Sequence, residues 1–128
     1  MKFLTDTNAF LWFITDSPRL PVKAKALLES RDNERLLGIA SVWEIAIKTS
    51  LGKLTFRKPL EEFIPEQIAI NGFTMLDIAV AHALQVARLP FHHRDPFDRM
   101  LVAQCLAEGL PLVSSDDALD AYGVQRLW

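Results

Sequence analysis

The chain has 128 residues, of which half are hydrophobic and 23% are charged, and its formal net charge is −2. This length and composition are typical of one globular domain with its own hydrophobic core. The small negative charge argues against a general nucleic-acid coat or a basic membrane-surface protein, but it allows a local basic patch. A single cysteine excludes an internal disulfide framework. Because Asp6 and Asp16 interrupt any signal-peptide pattern, and the apolar run 9–14 is too short to span a bilayer, we expect a soluble cytoplasmic protein.

Short apolar strands alternate with longer helical stretches along the chain. The predicted strands are 2–6, 36–40, 73–76, 111–114 and 124–127. The predicted helices are 8–15, 21–31, 41–51, 59–71 (with Pro65 kinking or splitting it), 77–89, 96–108 and 116–122. Strands separated by helices indicate βαβ crossovers. We therefore predict a three-layer α/β/α sandwich, built on a mainly parallel sheet of about five short strands, in one domain spanning 1–128.

Four acidic residues lie where one predicted element gives way to the next: Asp6, Glu44, Asp98 and Asp116. Strand ends and helix starts share one edge of a parallel sheet, and ligands bind at that edge. If strands one, two and four are neighbours, these acids are expected to meet there. Crowded carboxylates repel one another unless a cation lies between them. The set therefore indicates a metal site, and Mg²⁺ suits it because this ion prefers oxygen ligands.

Two of the acids differ in how easily a purely structural role explains them. The stretch Ser41-Val42-Trp43-Glu44 has the pattern of a capping box, in which Glu44 reaches back to the helix start. Taken alone, Glu44 is better explained by that role than by catalysis. Asp6 is harder to explain structurally, because a charge that ends a buried strand needs partners.

The other two acids each have an acidic neighbour. Asp95 is predicted to be the N-cap of the helix that starts at Pro96, which leaves both Asp95 and Asp98 near the third acidic position. Asp116 or Asp117 can cap the short helix after strand four. A fifth acid, Asp77, is explained by capping the helix 77–89.

Three stretches of the chain carry a family pattern in the order LTDTNAFLW at 4–12, SVWEIAIKTSLGKL at 41–54 and RDPFDRMLVAQCLAEGLPLVSSD at 94–116. With the closing short strand they cover nearly the whole chain. They resemble the PIN domain, specifically the VapC-type toxin ribonucleases of bacterial toxin–antitoxin pairs. The first stretch alone is weak, the third is specific, and the three together make the resemblance strong.

The resemblance implies a metal-dependent endoribonuclease that hydrolyses RNA phosphodiester bonds. It implies that magnesium, or manganese in its place, is held by the acids Asp6, Glu44, Asp98 and Asp116. The spacing to the following helix favours Asp98 over Asp95, and the Ser-x-Asp pattern favours Asp116 over Asp117. Asn8 and Ser114 match positions that orient the carboxylates. A homodimer and a cognate VapB-type antitoxin, whose tail covers the acidic site, are also implied.

Basic residues near the acids are candidates for binding RNA phosphates. Lys48 follows Glu44 along its helix, and Arg94 and Arg99 flank Asp98. Arg99 is expected to matter most because it is adjacent to that acid. A solvated surface explains the basic residues equally well, including the stretch of Lys53, Arg57 and Lys58.

A histidine pair, His92-His93, offers a weaker metal pattern through His92-x-x-Asp95. The preference of magnesium for oxygen ligands makes this pattern the less favoured one.

Three other functions compete with that of an endoribonuclease. An aspartyl phosphatase needs Asp-x-Asp after strand one, where this chain has Asp6-Thr7-Asn8. A phospho-accepting receiver domain needs paired acids at that place, although Asp77 fits its acceptor position. Both generally need a late lysine, and none follows Lys58. The third alternative is a PIN fold that only binds, and the presence of all four acids argues against it.

Overall fold

The computed structural model describes residues 1–128 as alternating strands and helices. The strands are β1 (Lys2–Thr5), β2 (Glu34–Gly38), β3 (Thr74–Leu76), β4 (Leu112–Val113) and β5 (Arg126–Leu127). The α-helices are α1 (Thr7–Ile14), α2 (Val22–Glu29), α3 (Ile39–Ser50), α4 (Leu60–Asn71), α5 (Val80–Val86) and α6 (Pro96–Glu108), and a 3₁₀ helix spans Asp117–Tyr122. The strands form one sheet in the order β3-β2-β1-β4-β5, and every neighbouring pair is parallel.

Two hydrophobic layers cover the two faces of this sheet. Because side chains alternate along a strand, Phe3 of β1 joins the layer that contains α1, α2 and α4, whereas Leu4 joins the layer of α6. Leu37 and Leu36 of β2 divide between the same two layers. The predicted three-layer α/β/α arrangement with five short parallel strands is confirmed.

The second strand begins earlier than the sequence predicts, at Glu34 rather than at residue 36. Arg35 is buried within it, which a search for apolar runs misses. Its guanidinium donates hydrogen bonds to the carbonyl oxygens of Leu28 (2.8 Å) and Gly72 (3.4 Å). These partners satisfy the buried charge, so the strand tolerates it.

Helix α3 consequently also begins earlier, at Ile39, with Gly38 as its N-cap. The predicted capping box is therefore wrong. Ser41 lies within the first turn of α3, and Glu44 lies beyond that turn, where it is too late in the helix to cap it. The structural explanation that competed with a functional role for Glu44 is removed.

Helix α5 is shorter than the predicted 77–89. The backbone N–H of Ala79 donates to Nδ1 of His82 (2.9 Å), and this contact sets the start of the helix at Val80. The sequence analysis expected Asp77 to cap this helix. That expectation is wrong, because the N-cap of α5 is Ala79.

The helices α4 and α6 lie close to their predicted bounds. Helix α4 continues through Pro65 without splitting, and α6 ends at Glu108, where it is followed by Gly109, whose φ of 66° is readily adopted by glycine. Helix α6 has 13 residues, and no helix in the structure has both the length and the apolar character needed to cross a membrane.

Candidate active site

Asp6 stands at the end of the central strand, where β1 passes into α1. Its carboxylate accepts a hydrogen bond from the N–H of Ala9 (2.7 Å), so Asp6 is the N-cap of α1, and it is only 7% exposed. The pKa of Asp6 is raised to about 6: burial is the main cause and the negative charges of Glu44 and Asp116 add to it, whereas hydrogen bonds from Ser114 and Ala9 act in the opposite direction. Asp6 is therefore a carboxylate in a poorly solvated, acidic environment.

Glu44 joins the site from the neighbouring helix α3, and both of its carboxylate oxygens have partners. Oε1 accepts from the hydroxyl of Thr7 (2.7 Å), and Oε2 lies 2.7 Å from Nζ of Lys48. The Thr7 hydroxyl also bonds to that of Ser41 across 2.9 Å, which ties the start of α1 to α3. Hydrogen bonding to Glu44 raises the pKa of Lys48, so this cation stays charged beside the acids.

Asp98 lies in the first turn of α6 and is free of any capping duty. Asp95 is the N-cap, as predicted: its Oδ1 accepts from the N–H groups of Phe97 (2.8 Å) and Asp98 (3.2 Å). The pKa of Asp98 is raised to about 7. Burial is the main cause, the negative charges of Asp95, Glu44 and Asp6 also raise this pKa, and the interaction with His93 lowers it. Because Asp95 accepts the capping hydrogen bonds and Asp98 accepts none of them, the structure supports the preference for Asp98 as the functional acid.

Asp116 follows β4 and caps the 3₁₀ helix. Its Oδ1 accepts from the N–H of Ala118 (3.1 Å), and its own N–H donates to the hydroxyl of Ser114 (3.1 Å). Ser114 is fully buried and also hydrogen-bonds Asp6, so it contacts both acids as a group that orients them. Asp117 is the exposed first residue of the 3₁₀ helix.

The four predicted acids are thus close enough to influence one another, although they come from four separate elements. Asp6 responds to the charges of Glu44 and Asp116, and Asp98 responds to those of Glu44 and Asp6. Carboxylate oxygens in this number are the donor set that a small divalent cation prefers. Such a cation would relieve the repulsion that raises the pKa values of Asp6 and Asp98, so the residues present fit Mg²⁺ or Mn²⁺.

His93 is a further member of the site, and the sequence analysis did not identify it. Its Nε2 lies 3.1 Å from Oδ2 of Asp116 and 3.3 Å from Oδ2 of Asp98. The sequence pattern considered for a metal was His92-x-x-Asp95. The ring of His92 instead packs edge-on against Tyr122, with centroids 5.1 Å apart. The histidine pair was the available signal, but only the loop conformation decides which ring faces the acids.

Thr7 is another supporting residue that the sequence did not indicate, because the family pattern matches its neighbour Asn8. Asn8 is exposed, whereas Thr7 is buried and donates to Glu44. The side chain that supports the acids is therefore that of Thr7, the first residue of α1, rather than that of Asn8, the second.

Arg99 has a different position from the one expected. It is 6% exposed, and its guanidinium donates to the carbonyl oxygens of Pro90 (2.9 Å), Val86 (3.1 Å) and Leu89 (3.3 Å). The guanidinium also lies over the ring of Phe91, 4.4 Å from its centroid. With its donors directed at the backbone, Arg99 fixes the segment before α6, and this placement argues against the predicted phosphate contact. Arg94 is exposed.

An apolar groove of about 470 Å³ lies beside the site, between α3, α5 and the start of α6. Trp43 and Phe97, the residues before Glu44 and Asp98, meet edge to face in its lining with centroids 5.2 Å apart. Trp43 is 60% exposed and Phe91, also in the lining, is 84% exposed. Exposed aromatic groups in one place are typical of a contact surface.

Comparison with solved structures shows the same fold in several proteins. The structure of VapBC2 from Rickettsia felis bound to a DNA fragment from its promoter has a TM-score of 0.71 at 13% identity, covering 98% of this chain and 97% of that one. FitAcB from Neisseria gonorrhoeae has a TM-score of 0.69 at 19% identity, with 100% and 97% covered. VapBC-1 from nontypeable Haemophilus influenzae has a TM-score of 0.66 at 14% identity, with 98% and 96% covered.

Sequence comparison gives a relative and a family. The Ribonuclease VapC16 of Mycobacterium tuberculosis (strain ATCC 25618 / H37Rv) is 36% identical over 69 residues, which is 51% of this chain and 49% of that protein. The match therefore spans about half the length of this relative. The model of the PIN domain family matches residues 3–125 of the chain. Because this match includes all four acids and nearly every element of the fold, the chain belongs to the PIN domain family.

Proposed function

We propose that the protein is a magnesium-dependent endoribonuclease that hydrolyses RNA phosphodiester bonds. The proposal is supported by the electrostatic interaction of four carboxylates that follow neighbouring parallel strands or begin helices, where burial and, to a smaller extent, their mutual repulsion raise the pKa values of Asp6 and Asp98. The similarity to Ribonuclease VapC16 over part of the chain supports the reaction type.

The acids Asp6, Glu44, Asp98 and Asp116 would hold the divalent cation, with Mn²⁺ as an alternative to Mg²⁺. A cation in this position supplies positive charge that offsets the charge building on the phosphoryl oxygens during hydrolysis. Ser114 and Thr7 orient the carboxylates through hydrogen bonds, so that less rearrangement is needed when the substrate arrives.

Proton transfer and phosphate binding are assigned to different residues. We assign acceptance of the proton of the attacking water to Asp98 or Asp116, as acids that need not give both carboxylate oxygens to the cation. Lys48 stays charged beside Glu44, and Arg94 is exposed in the loop that precedes α6. We assign both to the RNA backbone, whose negative charge they complement.

The proposed biological role is that of the toxin in a cytoplasmic toxin–antitoxin pair. The solved structures of similar fold are VapBC and FitAcB assemblies. We therefore propose a VapB-type antitoxin as one partner and a second copy of the chain as another. The exposed apolar groove beside the acids provides a surface on which a protein partner can bury nonpolar area.

The test of the enzyme proposal is cleavage of RNA by the purified chain with Mg²⁺ and with a chelator. Asp6→Asn and Asp98→Asn are expected to lose cleavage by about 100-fold or more, since even groups that only support metal ligands contribute about 10- to 100-fold. Asp77→Asn is the matched control, because Asp77 is an exposed acid of the same chain outside the site. Cleavage at the wild-type rate in Asp6→Asn or Asp98→Asn, or in the chelator, would contradict the proposal.

The toxin role is tested by expressing the chain alone in a bacterium and sequencing RNA ends. Growth arrest with cuts at discrete positions, in the wild type and in Asp77→Asn but not in Asp98→Asn, is the expected outcome. The positions of the cuts would also identify the RNA target. Arrest by the Asp98→Asn variant would show toxicity without catalysis, as expected of a PIN fold that acts only by binding.

A further inference from the structure

The loop before α6 places one histidine ring against two of the four acids. Nε2 of His93 is within hydrogen-bond distance of Oδ2 of Asp116 (3.1 Å) and lies 3.3 Å from Oδ2 of Asp98. The backbone of His93 is itself held, because its N–H donates to the hydroxyl of Tyr122 (2.8 Å) and its carbonyl oxygen accepts from Arg99 (3.4 Å). The ring is therefore presented to the acids by a fixed segment of backbone.

The contact made by the second ring nitrogen, Nδ1, identifies which of the two nitrogens of His93 carries the hydrogen. The backbone N–H of Asp95 donates to Nδ1 of His93 across 3.1 Å. A backbone N–H can only donate, so Nδ1 must present its lone pair. The hydrogen of the imidazole is then on Nε2, which faces the carboxylates as a donor. In this arrangement Nε2 has no lone pair for a metal ion, so the arrangement favours a hydrogen-bonding role over a ligand role for His93.

We propose that His93 is a positioning residue that holds the carboxylates of Asp98 and Asp116 together: its Nε2–H donates a hydrogen bond to Asp116 and lies against Asp98. This inference rests on the proposed function, because it concerns the geometry of the proposed metal site. The two acids come from α6 and from the turn after β4, and no other side chain forms a hydrogen bond or ion pair with both of them. The nearest carboxylate oxygens of Asp98 and Asp116 lie within 4.8 Å of each other. Without the donor, the two carboxylates repel and turn apart, and their oxygens are no longer arranged for one cation.

The amide analogues of histidine separate this role from a structural one. The amide nitrogen of Gln reaches about as far as Nε2, so His93→Gln keeps a donor toward the acids. The amide oxygen of Asn reaches about as far as Nδ1, so His93→Asn keeps only the acceptor for the N–H of Asp95. His93→Ala removes both. The measurement is the dissociation constant of Mn²⁺ in the full chain, obtained by electron paramagnetic resonance, with the melting temperature of each variant as the test of folding.

We expect His93→Gln to bind Mn²⁺ within about threefold of the wild type, and His93→Asn and His93→Ala to bind about 10- to 100-fold more weakly. Wild-type affinity in His93→Asn would overturn the inference, and so would weak binding in His93→Gln while that variant remains folded. If His93→Ala does not fold, the comparison of the Gln and Asn variants still decides. Normal Mn²⁺ binding in every His93 variant would overturn the inference on His93 alone. Failure of the wild-type chain to bind Mn²⁺ would instead overturn the proposed metal site itself.

Discussion

At the scale of single residues, the site combines structural and chemical duties in the same side chains. Asp6 and Asp116 both cap helices while their carboxylates face the other acids. Capping does not exclude a role in catalysis, because a cap uses one oxygen of a carboxylate and leaves the other available. The cost is the burial of negative charge, which is visible in the raised pKa of Asp6.

This cost leads to a prediction on stability. The pKa of Asp6 is about 6 in the folded protein and has an ordinary value of 3.8. Between these values the folded protein binds more protons than the unfolded one, so the contribution of Asp6 to stability falls as the pH rises. Asp6→Asn, which keeps an N-cap, is therefore expected to raise the free energy of unfolding of the metal-free protein at about pH 8, by about 2 kcal/mol.

The gain in the free energy of unfolding of Asp6→Asn should disappear near pH 4, where the Asp6 carboxyl of the folded wild type is protonated and therefore uncharged, like the Asn side chain. Urea denaturation in a chelator at the two pH values measures it, with Asp77→Asn as the control for loss of an exposed charge. A less stable Asp6→Asn protein at about pH 8 would mean that the carboxylate is stabilised by its partners more than burial destabilises it.

At the scale of elements, the beginning of a helix was predictable where the local sequence determines it. Asp95-Pro96 contains an N-cap followed by proline at the first helical position, and α6 begins there as predicted. The start of α3 was not predictable in this way. It is fixed by the pairing of Gly38 with Leu76 on β3, a contact between segments far apart in sequence. The same limit applies to His93, whose orientation depends on Tyr122 and Arg99.

The N-cap of α6 supports a prediction because Asp98 lies in the turn that it stabilises. Asp95→Ala is expected to lower the free energy of unfolding by about 1 kcal/mol, since two backbone N–H groups lose their acceptor. Asp95→Asn should remain close to the wild type. Both variants remove the same charge, so their difference in urea denaturation isolates the hydrogen bonds of the cap. Equal stability of the two variants would argue that the cap contributes little.

At the scale of the whole molecule, the order of the strands creates the site. With β1 at the centre and β2 and β4 on either side, the chain segments that follow these three strands meet at one edge, as the sequence analysis required. The sequence predicted the parallel sheet, because helices separate all its strands. It did not determine the strand order, which depends on how the crossovers pack, so the convergence of the acids was an expectation conditional on that order.

The exposed apolar groove supports a prediction on assembly. If the proposed homodimer uses this surface, sedimentation equilibrium should give twice the 14.5 kDa mass of the chain. Phe91→Glu, which places a charge in the groove lining, should then sediment as a single chain. Val22→Glu is the matched control, because Val22 is 86% exposed on α2 and lies outside the groove. A Phe91→Glu protein that remains dimeric would place the interface elsewhere.

The central claim is that Asp6, Glu44, Asp98 and Asp116 form one site for a divalent cation. The most direct measurement is a crystal structure of the chain grown with Mn²⁺, in which anomalous scattering locates the ion. The account predicts a Mn²⁺ ion at about 2.0–2.3 Å from carboxylate oxygens of this set, with His93 hydrogen-bonded to acids rather than coordinated to the metal. Mn²⁺ bound elsewhere on the chain, with these four carboxylates left uncoordinated, would contradict it.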